Sequence, residues 1–233
     1  MKNDKNLLES IDLDEISHDE AGDGHFISST ETPLRADAFD LSDEEKIERI
    51  QEHFKEIMQT LGLDLEDESL KGTPYRVAKM YVQEIFKGLN PENKPVAKKF
   101  INKYGYGDML VEKNIQVTSF CEHHFLPFIG KAHVGYFCNG NVIGLSKINR
   151  IVDYYSRRPQ VQERLTLQIA NELENALDTE DVAVFIESKH LCVSTRGIQD
   201  VSSSTITSEF RGQFKETENQ QKFIDYIKTK TEM

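Results

Sequence analysis

The chain reads as an α+β protein, an antiparallel sheet with flanking helices, and three features predict it. Apolar residues recur at helical spacing before residue 88 and again between residues 146 and 173. Stretches rich in Val and Ile alternate with polar residues from Met109 onward, and Asn139-Gly140 lies between two such stretches as a hairpin signal. Helices that flank and separate antiparallel strands define the class.

Residues 1–40 are polar and acidic. Eleven acidic and three basic side chains give this stretch a net charge of −8, out of −12 for the whole chain. Its few bulky apolar groups do not offset the entropy of ordering, so it reads as a disordered, mobile arm. Ser42-Asp43-Glu44-Glu45 is a capping box, followed by Ile47, Ile50, Phe54, Ile57 and Leu61 at helical spacing until Gly62 ends the run. A second helix is expected from Thr73 as N-cap and Pro74 at the first position, carrying Val77, Met80, Tyr81 and Ile85 before Gly88. Residues 41–95 thus form a helical N-terminal region, and residues 96–233 the domain expected to carry the chemistry.

Met109 to Ser119 alternates as a strand. Ile129–Phe137 and Val142–Leu145 are expected to pair as a hairpin around Asn139-Gly140. Ser146 is placed to cap a helix through Ile148, Ile151, Val152 and Tyr155, interrupted before Pro159. Another helix is expected to restart at Pro159, with Val161, Leu165, Ile169 and Leu173 in step. Residues 182–196 and 203–210 read as two further strands, and Phe223–Ile227 as a closing helix.

A chain of 233 residues can bury a sizeable core. No apolar run approaches the roughly 20 residues of a membrane span, and the N-terminus lacks the basic and apolar regions of a signal peptide. No membrane association and a cytoplasmic location are expected. Three cysteines, an odd number, argue for reduced thiols rather than a disulfide framework. The acidic balance and the lack of an interleaved basic and aromatic face argue against nucleic acid.

The chemistry centres on Cys121-Glu122-His123-His124, in a loop between strands. A cysteine followed three positions later by a histidine has the bite of two ligands on one metal ion, and Cys192 is available as a third. A structural zinc normally takes four protein ligands, whereas a catalytic zinc takes three and leaves the last position to water. Cys138 is the one remaining cysteine, so a four-cysteine site is impossible. A lone Cys-x-x-His is more often an ordinary surface or core pair; His190-Leu191-Cys192 downstream lifts it above that. With residues 190–192 extended, His190 and Cys192 share a face, and His123 adjoins a ligand. Two imidazoles are then close to the ion, where general acids and bases are wanted. A nucleotide- or pterin-binding module whose metal only staples loops would use the same residues. Thiolate ligands favour zinc over magnesium or manganese and leave iron as a competitor.

Several longer motifs occur in order. Cys121–His124, Gly144–Arg150, Arg158–Thr166 and His190–Cys192 followed by Arg196-Gly197, with Thr73–Met80 upstream, resemble the GTP cyclohydrolase I family over roughly residues 45–230. Residues 1–40 lie outside the resemblance, and Cys138 is not part of the shared pattern. The resemblance implies a tunnelling fold in which the sheets of neighbouring subunits join in a ring, a homo-oligomer of paired pentamers, typically a decamer, and active sites at subunit boundaries. It implies conversion of GTP and water to 7,8-dihydroneopterin triphosphate and formate, the first step of tetrahydrofolate and pterin biosynthesis. Zinc would be held by Cys121, His124 and Cys192, with His123 and His190 moving protons. Glu163 would accept the N1–H and N2–H₂ donors of guanine, with Gln162 beside it. Lys147, Arg150, Arg196, Arg76 and Lys79 match phosphate-contacting positions, and Ser146 offers a hydroxyl at a helix N-terminus for an anion or the ribose.

Overall fold

The computed structural model describes residues 29–138 and 140–230. Most of the acidic arm therefore lies outside the described residues. Of its described part, residues 29–40, residues 29–32 are held against the body of the protein, with Thr32 Oγ1 accepting from Arg158 and the Ser29 and Thr30 carbonyls accepting from Arg164 and Gln168.

Helix α1 spans Asp43–Thr60, and its capping box forms as expected: Glu45 N–H donates to Ser42 Oγ and Ser42 N–H donates to the Glu45 carboxylate. Gly62, at φ +81°, leaves the helix through the left-handed region. Helix α2 spans Thr73–Met80 and runs on as a π-helical turn over Tyr81–Ile85. Its N-cap is Gly72 rather than Thr73, whose hydroxyl instead accepts from Arg76.

The sheet has five strands in the order β5-β2-β3-β6-β7. These are β2 Met109–Cys121, β3 Pro127–Phe137, β5 Pro159–Gln160, β6 Val182–His190 and β7 Thr205–Phe210; β5 runs parallel to β2 and all other pairs are antiparallel. A separate two-stranded ribbon pairs β1, Lys99–Ile101, with β4, Asn141–Ile143. The expected hairpin around Asn139-Gly140 does not form. Both edges of β3 are taken by the longer strands β2 and β6, so β4 finds its partner in β1.

Helices α3, Leu145–Ser156, and α4, Gln162–Leu177, cover one face of the sheet. Ile148, Ile151, Leu165, Ile169 and Leu173 are fully buried there against Val117, Val134, Val184 and Ile186. The N-cap of α3 is Gly144, not Ser146, which lies in the first turn. Pro159 does not restart a helix. It pairs with β2, and the helix begins at Gln162 after an extended Val161. On the opposite face, α6, Thr217–Lys228, packs Phe223 with Phe214 onto Met109, Phe137 and Ala183.

One irregularity sets the phase of β2. Lys113 and Asn114 together oppose His133, because Glu112 pairs with Val134 and Ile115 with Ala132. This is a β-bulge, with Asn114 at φ +61°. Before it, Met109 faces the α6 side; after it, Ile115 and Val117 face the α3–α4 side, and Cys121 keeps their parity. Because of it, Met109 and Ile115, six residues apart, face opposite sides of the sheet.

Candidate metal centre and active site

The metal loop closes the β2–β3 connection. Cys121 N–H donates to Leu126 O and Phe125 N–H to Cys121 O, so residues 121–126 form a tight turn. Phe125 takes φ +54°, a strained setting for a bulky side chain. Its ring meets Phe86 edge-on at 5.3 Å, and Phe86 also packs edge-on against Phe120 at 5.6 Å. The helical N-terminal region thus grips the loop from outside.

Cys121 Sγ lies 3.7 Å from His124 Nδ1, and these atoms and a ligand atom of Cys192 all lie within 4.8 Å of one another. The expectation that residues 190–192 are extended fails, because β6 ends at His190 and Leu191–Ser194 form α5, a single helical turn. That turn still swings Cys192 toward Cys121. The spacing suits a tetrahedral ion, for which ligand bonds of about 2.0–2.3 Å put neighbouring donors roughly 3.5–3.8 Å apart. Burial, with the Cys121 thiol beside it, pushes the Cys192 thiol up to about 11, and a dication between two sulfurs would reverse that penalty. The donor set fits a zinc-like metal.

His123 and His190 line the same cavity of about 550 Å³ as the three ligand residues, together with Gln160, Val161 and Arg196. The His123 ring is 3.6 Å from Cys121 Sγ, and its Nε2 lies 3.8 Å from Glu122 Oε1. The buried Arg164 guanidinium clasps both oxygens of Glu122. His190 sits directly across from Phe128 in the β3–β6 ladder, and the two rings stack at 4.6 Å and 12°. Burial holds the His190 imidazole below its ordinary range, and the Glu163 carboxylate partly opposes this.

The first turn of α4 sends three successive side chains in three directions. Gln162 is buried against β6 and β7, Glu163 is exposed and lies within electrostatic reach of His190, and Arg164 turns back to Glu122. Arg196 reaches the ligands directly, with Nη1 against His124 Nε2.

The other expected phosphate contacts are elsewhere. Ser146, Lys147 and Arg150 lie at the start of α3, where Asn149 donates to Glu112 at 3.0 Å. Glu112 precedes Cys121 by nine strand residues, which at about 3.3 Å each puts this group some 25–30 Å along the sheet from the metal ligands. Arg76 donates to Ser69 O and Thr73 Oγ1, and neither it nor Lys79 lines the cavity. Sequence reasoning did not reveal Phe128, Ser188 or the bulge. Only the bulge left a trace, in the polar run Glu112-Lys113-Asn114 that breaks an alternating strand.

A family model for GTP cyclohydrolase I matches residues 50–228. The chain belongs to the GTP cyclohydrolase I family. It is 63% identical over 214 residues to GTP cyclohydrolase 1 of Flavobacterium johnsoniae, covering 92% of this chain and 96% of that one. It is 51% identical over 185 residues to GTP cyclohydrolase 1 of Aeromonas salmonicida, with 79% and 84% covered. The Serratia proteamaculans protein of that name is 50% identical over 199 residues, with 85% and 89% covered. The described part of the chain has the mixed α+β architecture expected of it, and no helix among the described residues is long and apolar enough to cross a membrane.

Proposed function

We propose that this protein hydrolyses GTP to 7,8-dihydroneopterin triphosphate and formate, using zinc held by Cys121, His124 and Cys192. The observation that carries the reading is the convergence of these three ligands with His123 and His190 in one cavity. Zinc there would supply Lewis acidity to make water nucleophilic, less strongly than a three-histidine site because two thiolates offset its charge. The protein's own groups must then move the protons. His190 and His123 take and return them between water, guanine N7 and the opening imidazole ring. Glu163 accepts the N1–H and N2–H₂ donors of guanine, and adenine, lacking that pair, would leave the carboxylate unmatched.

Arg196 binds phosphate beside the metal. Ser146, Lys147, Arg150, Arg76 and Lys79 serve the triphosphate of a site completed by a neighbouring subunit, since one chain holds the α3 group far from its own metal ligands. A ring of pentamers, paired into a decamer with the tunnelling fold, brings the two ends together. The exposed Phe100, Ile101 and Tyr104 near the β1 ribbon and the open edge of β7 support such an assembly, because open edges and apolar patches are normally covered by a partner. In this scheme residues 41–95 brace the metal loop, residues 96–233 carry the reaction in a cytoplasmic enzyme, and the acidic residues 1–40 supply none of the reacting groups.

Purified protein incubated with GTP should release formate and, after oxidation, give a fluorescent pterin; a chelator should abolish both. His190→Ala should keep its zinc and its oligomeric state while formate release falls about 10²- to 10⁴-fold, the range for a lost general acid or base. Turnover by that variant at the unaltered rate would remove His190 from the mechanism. Metal-independent GTP binding with no formate from the unaltered protein would leave only a binding module.

A further inference from the structure

Gln162 is 1% exposed, and every polar atom of its side chain is engaged. Its amide nitrogen faces Ile186 O at 3.2 Å, Thr205 O at 3.1 Å and Thr207 Oγ1 at 3.1 Å. Two of these are carbonyl oxygens and can only accept, so the nitrogen, not the oxygen, must face them. The opposite orientation would set the amide oxygen against two carbonyl oxygens in a place water does not reach. A second chain of hydrogen bonds agrees. Thr207 Oγ1 lies 2.7 Å from Thr166 Oγ1, which donates to the main-chain carbonyl of Gln162 at 2.9 Å, so Thr207 spends its proton on Thr166 and is left to accept from the Gln162 side-chain amide.

The orientation has a consequence at the other end. Gln162 Oε1 must face Ser188 Oγ and His190 Nε2, the latter at 2.8 Å. An amide oxygen only accepts, so His190 Nε2 must carry the proton. We infer that Gln162 is a positioning residue that locks His190 as its Nε2–H tautomer, leaving Nδ1 as the ring's one lone pair. Phe128 fixes the plane of the ring and Gln162 fixes its protonated edge. This rests on the reading of His190 as a proton carrier, and it makes that reading specific: His190 gains and loses its working proton at Nδ1.

The same geometry separates the roles of adjacent residues. The Gln162 amide has no group left for guanine, so base recognition falls to Glu163, one position along the helix and exposed. A polar network entirely internal to the protein is thereby spent on one histidine.

The test is the ¹⁵N spectrum of histidine-labelled, zinc-loaded protein, with the His190 signals assigned by their loss in His190→Asn. A protonated Nε2 and a bare Nδ1 are expected for the unaltered protein and for Ser188→Ala, which keeps the Gln162–His190 bond. Gln162→Met has similar length and no acceptor; it should shift His190 toward the other tautomer and lower kcat about 10- to 100-fold, as for other outer partners of metal-site histidines. Its affinity for a non-hydrolysable GTP analogue should stay within about twofold. A bare Nε2 in the unaltered protein would overturn the inference, and that measurement stands even if Gln162→Met does not fold. A weakened analogue affinity with kcat unchanged would also overturn it, by assigning Gln162 to the base. The reading of the reaction fails separately, if no formate appears while the Nε2–H pattern is intact.

Discussion

At the scale of single residues, the site depends on close approach as much as on reactive groups. Gly130 pairs with Ser188 in the β3–β6 ladder, and a Cβ on it would lie 1.9 Å from Glu187 O and 2.6 Å from Ser188 Cα. No rotamer change relieves a clash with backbone, so the strands must part where His190 and Ser188 meet Gln162. Gly130→Ala should therefore cost about 1–3 kcal/mol, the range for overpacking, which lowers Tm by roughly 2–12 °C in a chain of this size. Its kcat should fall more than the Tm shift accounts for at 25 °C, because the His190 ring moves with the strand. Calorimetry and steady-state kinetics on the one variant check both; a stable protein with unaltered turnover would show that the strands yield without disturbing the site. Arg164 works by charge in the same neighbourhood. Buried at 2% exposure, it holds the carboxylate between Cys121 and His123, and removing one partner of a buried pair leaves the other uncompensated.

At the scale of elements, the bulge in β2 sets how the two halves of that strand are phased. Deleting Asn114 should leave regular pairing with β3, with Glu112 still opposite Val134 and Ile115 still opposite Ala132, so Cys121 keeps its face toward His190 and Cys192. The deletion variant should therefore bind zinc as the unaltered protein does by metal analysis, as should Asn114→Gly, which keeps the left-handed φ. Less than one zinc per chain in the deletion variant would show that the bulge itself shapes the ligand loop. The same strand shows where sequence reasoning succeeds and where it stops. Periodicity located α3 and α4 because each has a buried stripe, α1 and α2 were marked more by their start signals than by burial, and alternation located β2, β3 and β6 because each has a buried face. The three-residue β1 has too few residues to carry a pattern, and β4 was placed but given the wrong partner, because its pairing depends on β3 having no free edge. The grouping of Cys121, His124 and Cys192 was legible because Cys and His are rare enough for spacing to speak. Its supports were not, since Phe128 and Ser188 are ordinary strand residues until register brings them to His190 and Gln162.

At the scale of the whole molecule, the separation between the two ends of the sheet is the main structural fact about the proposed enzyme. The proposed metal ligands and acid–base histidines gather where β2, β3 and β6 meet α4, while Lys147 and Arg150 begin α3 at the far end of β2. If a working site takes its metal end from one subunit and its α3 end from another, two defective chains can repair each other. His190→Ala and Lys147→Ala homo-oligomers should each be nearly inactive. Equal amounts unfolded and reassembled together should form about one site in four with both residues intact, recovering roughly a quarter of full activity. Mixing without subunit exchange should recover none, which separates shared sites from free chains acting in solution. The recovered sites should also show the unaltered KM for GTP, since each contains a complete set of contacts, and formate release against substrate concentration reads this directly. No recovery after demonstrated exchange would mean that each chain builds its whole site alone, and that Lys147 reaches the triphosphate by a path along its own sheet.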